Sequence, residues 1–219
     1  MKKILCLFCL VTILSLPACS EQSQAFDAAF QPPIVDVNWG MTPEEVMEIL
    51  ALPEDCILNS DEDAITLQCE NMDIFGQCAD VVMLFDVRYK MGLMNMIIFF
   101  TDLSGESLVE ALNHAYGDYS AVDSEGVPCR WESEKIEDMS ERIQERFQYV
   151  QLESPAWNDG QGVFSKETVW NEIKGQPLVA VTLNGNILYY NAGHMAAYLV
   201  LNDDNAYEKM QSYLNDVMK

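Results

Sequence analysis

The order of apolar and polar positions over residues 35–117 predicts a helix, three strands and a second helix. Strands are expected at residues 65–75, 79–88 and 93–101, where apolar side chains recur with a period of two. Because only short turns join these strands, they should pair as antiparallel hairpins. The third strand is apolar on both faces and is expected inside the sheet. Apolar residues at helical spacing precede and follow the strands: Val46, Ile49, Leu50, Leu108, Ala111, Leu112 and Ala115.

The first helix opens with Met41-Thr42-Pro43-Glu44-Glu45, a segment with the composition of a helix start. Thr42 is expected to cap the free amides, and Glu45, three residues later, to complete a capping box. Pro43 suits the first helical position because it lacks an amide hydrogen. Pro53 should end the helix. Helix capping explains these residues, so they do not indicate catalysis.

Residues 118–219 are predicted to form a second α+β half. In chain order, the expected elements are helices at 134–147 and 165–174, strands at 178–183, 187–191 and 196–201, and a final helix capped by Asp203. Asn184-Gly185, between the first two strands, is a strong hairpin signal. The predicted fold class is α+β, with antiparallel meanders and helices packed on one face. The two halves, 35–117 and 118–219, form either one continuous sheet or two lobes.

The N-terminus has the pattern of a secretory signal that ends in a lipid-attachment cysteine. Two lysines precede an apolar run at residues 4–16, which is too short to cross a bilayer as a mature helix. The run ends in Leu16-Pro17-Ala18-Cys19, which resembles the bacterial lipobox. We therefore expect removal of residues 1–18 and lipidation of Cys19, with residues 19–34 as a flexible tether on the outer side of the cell membrane. The alternative is an ordinary secretory signal cleaved after Ala18.

The helix start and the strands after it resemble a small known domain. Trp39-Gly40-Met41-Thr42, followed by Val46, and the order helix, three strands, helix are similar to the domain shared by β-lactamase inhibitor protein and the smallest lipoprotein of the outer-membrane β-barrel assembly machinery. The resemblance covers residues 35–117 and implies a non-enzymatic protein that binds other proteins. Ala51-Leu52-Pro53 stands where that family often has a glycine before the proline. No inhibitory loop can be matched, so the resemblance implies no target.

Acidic side chains outnumber basic ones by 35 to 12, which gives a net charge of −23. Such a surface repels nucleic acids and anionic lipid headgroups, so we expect direct binding to neither. The same charge favours a basic protein partner or loosely held cations. Solubility alone also accounts for it.

Four cysteines remain once the signal and the lipid-attachment site are set aside: Cys56, Cys69, Cys78 and Cys129. Outside the cytoplasm these thiols are expected to form at least one disulfide, and the sequence leaves all three full pairings open. Their spacing lacks the short paired intervals of a zinc site, so no metal is expected there. No cofactor is expected elsewhere.

Two alternatives to a protein-binding adaptor assign an enzymatic or metal-binding role to short segments of the chain. One is an envelope enzyme with Cys129 as its nucleophile, since an arginine follows Cys129 and a cation lowers a thiol pKa. His114 and His194 would be its candidate bases. The other is a calcium-dependent surface module that uses Asn59–Asp63 or Asn202–Asn205. The first of these segments lacks the glycine and distal glutamate of an EF-hand, and the second is better explained as a helix cap.

The leading hypothesis is a non-enzymatic adaptor that binds another protein outside the cytoplasm, through the sheet and the aromatic-rich second half. Large aromatic side chains are the usual anchors of protein interfaces. The candidate partner contacts are Trp157, Trp170 and Tyr149. Trp157 is preferred because it lies in a loop flanked by proline and glycine, where burial in the core of the domain is least expected.

Overall fold

The computed structural model describes residues 30–101, 105–153 and 166–217. Within these residues the strands are β1 (Ile57–Ser60), β2 (Ala64–Ile74), β3 (Gln77–Asp86), β4 (Gly92–Phe100), β5 (Ala121–Val122), β6 (Pro128–Glu132), β7 (Ala180–Asn184) and β8 (Ile187–Asn191). The α-helices are α1 (Pro43–Ile49), α2 (Gly105–Tyr116), α3 (Glu141–Glu153), α4 (Lys166–Lys174), α5 (Gly193–Asn202) and α6 (Asp204–Val217). Short 3-10 helices lie at Glu54–Cys56 and Ile136–Asp138. The predicted signal segment and Cys19 lie outside the described residues.

All of these strands form one antiparallel sheet in the order β1-β2-β3-β4-β8-β7-β6-β5. Each half of the chain supplies four consecutive strands, and the last strands of the two halves, β4 and β8, lie side by side. Their register pairs Met96 with Tyr190 and Ile98 with Leu188. The α+β fold is therefore confirmed, and the two halves form one continuous sheet rather than two lobes. β4 lies inside the sheet, as its two apolar faces predict.

The core lies on one face of the sheet, where the helices pack. Alternate residues of β3 supply it, because Ala79, Val81, Met83 and Phe85 are fully buried. The helices add buried side chains to the same cluster: Leu108, Leu112, Ile143, Phe147, Ile173, Leu201 and Leu214. Since strands and helices from both halves meet in one cluster, the two halves share a single hydrophobic core.

The capping box at the start of α1 is confirmed. The Thr42 hydroxyl accepts a hydrogen bond from the Glu45 amide at 3.2 Å, and the Thr42 amide donates to Glu45 Oε2 at 2.8 Å. Pro43 occupies the first turn. The helix ends at Ile49, before Pro53, and Ala51 adopts a left-handed backbone with a φ of 50°.

The predicted strand at residues 196–201 is wrong, because these residues belong to helix α5. The helix buries Met195, Ala196, Ala197 and Leu201. It is therefore apolar over much of its circumference and lacks the single apolar face of an amphipathic helix. A short apolar run of this kind cannot be assigned to a strand or a helix by periodicity alone. The expected helix at 134–147 is correct only in part. A 3-10 turn covers its start, and α3 begins at Glu141.

The end of the predicted tether belongs to the folded domain. Phe30 and Ile34 are buried in the core. The Phe30 ring stacks on Tyr116 at 5.0 Å between centroids, and the Phe30 carbonyl accepts a 2.7 Å hydrogen bond from Trp39 Nε1. The boundary at residue 34 is therefore wrong. Phe30 and Ile34 are isolated apolar residues in a polar segment, and this pattern is too weak to predict that their side chains pack into the core.

Candidate functional site

The face of the sheet opposite the core carries apolar side chains at its centre. Val82 on β3, Ile97 on β4 and Tyr189 on β8 form one row across the strands, because the register pairs Val82 with Ile97 and Ile97 with Tyr189. The next row pairs Phe99 with Ile187. We call the apolar residues of this face the apolar band: Val82, Leu84, Ile97, Phe99, Ile187 and Tyr189.

The apolar band does not contribute to the core. Within the described part of the chain, none of its six side chains belongs to the buried cluster or packs against it. Phe99 and Tyr189 are the most open, with 38% and 37% of their surface exposed. The outer face of an antiparallel sheet is normally polar, and a contiguous exposed apolar patch usually marks an interaction site.

Polar side chains on the same face border the apolar band. The strand register places them in the same rows as the band or beside it: Thr66, Gln68, Asp80, Asn95, Arg130, Thr182 and Asn191. Arg130 pairs with Glu132 at 2.6 Å, so its charge is partly satisfied within the sheet. An apolar centre with a polar border is the usual arrangement of a protein interface.

The apolar band is not among the residues that the sequence pattern predicts as a site. The signal was nevertheless present, since β4 is apolar on both faces and Val82 and Leu84 add apolar residues to the outer face of β3. That pattern was used to place β4 inside the sheet. Its second consequence, an exposed apolar outer face, follows only once the helices are known to pack on one side.

The three aromatic candidates lie away from the apolar band or outside the described residues. Trp157 falls outside them. Trp170 on α4 and Tyr149 on α3 are half-buried and pack against the core, and Tyr149 makes an edge-on contact with Tyr207 at 6.4 Å between centroids. Trp131 is completely buried. Trp170 and Tyr149 therefore hold helices in place, with only part of each ring open to a partner.

All four predicted disulfide cysteines are free thiols in the structure. Cys69 is buried on β2, and burial, together with the neighbouring Cys56 thiol, raises its pKa to about 11. Cys78 is exposed and donates a weak hydrogen bond to Asn71 Oδ1 at 3.5 Å. Of the other three thiols, Cys56 is thus the one that affects the pKa of Cys69, while a disulfide among the four stays a prediction.

Cys129 and its two candidate bases lie on different elements of the fold. It lies half-buried on β6. His194 lies in the first turn of α5 instead of the predicted loop between strands, and its Nδ1 donates to the Pro177 carbonyl at 3.1 Å. Burial lowers the pKa of His194. His114 is in the last turn of α2. Among the described residues, no hydrogen bond links Cys129 to a histidine.

The two acidic segments have structural roles in their turns. Asp61 Oδ1 accepts the amides of Asp63 and Ala64 at 2.9 and 2.8 Å, which forms the turn between β1 and β2. Asp203 caps α6 by accepting the Ala206 amide at 2.8 Å. Over residues 30–101, 105–153 and 166–217, no group of three or more His, Cys, Asp or Glu side chains is placed to hold a metal ion.

Comparison with protein-family models, curated proteins and solved structures finds no match to this chain. The resemblance of residues 35–117 to the β-lactamase inhibitor protein group therefore stays a prediction. In the part of the chain that the structure describes, every helix is too short or too polar to cross a membrane.

Proposed function

We propose that this chain is a non-enzymatic adaptor, lipid-anchored at Cys19 on the outer side of the cell membrane, that binds another protein through the apolar band. The observation that carries the proposal is the apolar centre of the outer sheet face, built from three adjacent strands of both halves, on which Phe99 and Tyr189 are exposed and the other four side chains are half-buried. Leaving this surface in water costs stability, and binding a protein would remove that cost.

The two most exposed members of the apolar band fit the role of anchors. Phe99 and Tyr189 are aromatic, and Tyr189 adds a hydroxyl that can reach a partner's polar group. The band lies on three adjacent strands, so it extends about 10 Å across the sheet. Large aromatic residues at the centre of an interface supply much of its binding energy.

The charge of the chain indicates which partner the apolar band would select. The net charge of −23 belongs to the chain as a whole, and its long-range field favours a protein partner of net positive charge. Long-range attraction would speed association, and added salt would slow it by screening. The lipid at Cys19 would confine this protein to the membrane surface, where the local concentration of membrane-bound partners is high.

A charged substitution in the apolar band tests this proposal. In affinity capture from the native cell envelope, Phe99→Asp should weaken binding of the partner by about 30-fold, the loss typical of a strong interface anchor. Val127→Asp is the matched control, because Val127 is similarly exposed, at 40% against 38% for Phe99, and lies outside the band. Thermal melts must first show that both variants fold.

Two results would contradict the proposal. Equal capture of the partner by both variants would show that the apolar band is not the binding surface. Turnover of a substrate that is lost in Cys129→Ser would favour the alternative of an envelope enzyme.

A further inference from the structure

A cleft of about 500 Å³ lies on the helical side of the sheet, between the loop that joins β3 to β4 and the first turns of α6. Three cations line it: Arg88 and Lys90 from the loop, and Lys209 from α6. The whole chain has only 12 lysines and arginines and a net charge of −23. A cleft with three of these cations is therefore a local exception to the acidic surface.

Two of the three cations of the cleft are available to a ligand, and the third, Arg88, is ion-paired with Asp63 at 3.1 Å. Neither Lys90 nor Lys209 forms an ion pair with any residue that the structure describes. Asp203 is the one acidic residue among the described residues of the lining, so the lining carries three positive charges against one negative charge, and the Asp203 carboxylate also caps α6. The amino-terminal end of this 14-residue helix adds a favourable field for an anion. The electrostatics of the cleft thus suit a negatively charged group.

The wall of the cleft is held in place before any ligand arrives. Arg88 Nε donates to the Tyr213 hydroxyl at 3.0 Å, and the Tyr213 ring meets Tyr89 edge-on at 5.6 Å between centroids. The loop itself is organised by the buried Asp86, whose carboxylate accepts the amides of Tyr89 at 2.8 Å and Met91 at 3.2 Å. A preformed site loses less conformational entropy on binding.

An apolar cavity of about 120 Å³ adjoins the cleft. Tyr89 and Met210 line both spaces. The inner cavity is otherwise lined by apolar side chains from the loop before β4 and from the helices: Met91, Phe147, Val150, Ala197, Leu201 and Leu214. The combined volume lies within the range of about 300–1,000 Å³ that is usual for small-molecule sites.

We infer that this cleft binds a small amphiphile with one anionic head group and an alkyl chain. The head group, a carboxylate or a phosphate, lies between Lys90, Lys209 and Arg88. The chain follows Tyr89 and Met210 into the inner cavity. The site is independent of the apolar band, which is on the opposite face of the sheet.

Calorimetric titration of the purified protein with decanoate and with decyl phosphate tests the inference, and the tighter ligand identifies the preferred head group. Saturable binding of at least one of them is expected. Acetate, which lacks the chain, and 1-decanol, which lacks the charge, should each bind at least about ten-fold more weakly. Binding should also weaken as salt is raised, because the head group is held by charge.

Paired variants locate the ligand. Lys90→Gln/Lys209→Gln should weaken binding of the anionic ligand about ten-fold, and both side chains are exposed, so the fold should be unaffected. Lys135→Gln/Lys174→Gln removes the same charge elsewhere and should leave binding unchanged. Ala206→Leu, which fills the cleft without removing a contact, should also abolish binding.

Three results would overturn the inference. The first is that neither anionic ligand shows saturable binding. The second is that 1-decanol and decanoate bind with equal affinity. The third is that the two double-lysine variants lose affinity for the anionic ligand equally. None of them bears on capture of a protein by the apolar band, so failure here is distinguishable from failure of the proposed function.

Discussion

At the residue scale, the reciprocal hydrogen bonds between Thr42 and Glu45 define where α1 begins. Thr42→Ala removes the acceptor for the Glu45 amide and should lower the free energy of unfolding by about 1 kcal/mol. Denaturant titration measures the loss. Ser212→Ala, at an exposed position within α6, is the control and should not destabilise the protein. An unchanged midpoint for Thr42→Ala would show that the cap contributes nothing to the fold.

The thiols Cys56 and Cys69 allow a second prediction at this scale. Cys56 ends the 3-10 helix directly before β1, whose first residue Ile57 pairs with Leu67 on β2, and this brings Cys56 close enough to Cys69 to affect its pKa. If the exported protein forms a disulfide, we expect it to join Cys56 to Cys69 and to stabilise the fold by about 3 kcal/mol. With a pKa of about 11, Cys69 is protonated at neutral pH and should oxidise more readily as the pH rises toward that value.

Peptide mapping without reductant, after air oxidation at neutral and at alkaline pH, tests this pairing. Cys78→Ser/Cys129→Ser should leave the linked peptide unchanged. A linked peptide that contains Cys78 or Cys129, or four free thiols under both conditions, would contradict the prediction.

At the element scale, the segment before α1 docks on β4 through two glycines. The Gly40 amide donates to the Leu93 carbonyl at 3.0 Å, and the Leu93 amide donates to the Met41 carbonyl at 2.8 Å. Gly92 has a φ of 66°, and a Cβ at this position would overlap the Gly40 carbonyl. The close approach of the two backbones therefore requires glycine at position 92.

Gly92→Ala should be strongly destabilising, by more than about 3 kcal/mol, because it adds a backbone overlap to the cost of a left-handed conformation. Gly126→Ala is the matched control. Its φ is 83°, yet an added Cβ has open space, so it should cost only about 1–2 kcal/mol. Similar unfolding free energies for the two variants would mean that the segment does not dock on β4 as described.

The sequence predicted the elements whose pattern is long and regular and missed those that are short. β2 to β4, α1, α2, α4 and α6 follow from periodicity and capping. β1 and β5 were missed because four and two residues are too few to show a period, and β6 because it lies in the poorly patterned segment after residue 117. Helix α5 was assigned to a strand because its buried side chains leave no polar face.

At the scale of the whole molecule, the sheet depends on a pairing that local patterns do not encode. β4 and β8 are about 90 residues apart in the chain, and their register joins Ile97 to Tyr189. This pairing brings Val82, Phe99 and Ile187 together in the apolar band. The candidate site therefore could not be predicted from the sequence, although each residue's outward position on its strand could. The sequence pattern instead predicts partner contacts at aromatic residues of the second half, and two of these, Trp170 and Tyr149, pack against the core.

Binding through the apolar band is tested most directly by site-specific photo-cross-linking in living cells, with p-benzoylphenylalanine in place of Phe99 or of Val127. A discrete adduct between this chain and a second protein is expected from Phe99, absent from Val127 and weakened by added salt. An adduct of the same kind from both positions, a Phe99 adduct only between copies of this chain, or no adduct from Phe99 would contradict the claim that the apolar band binds a protein partner.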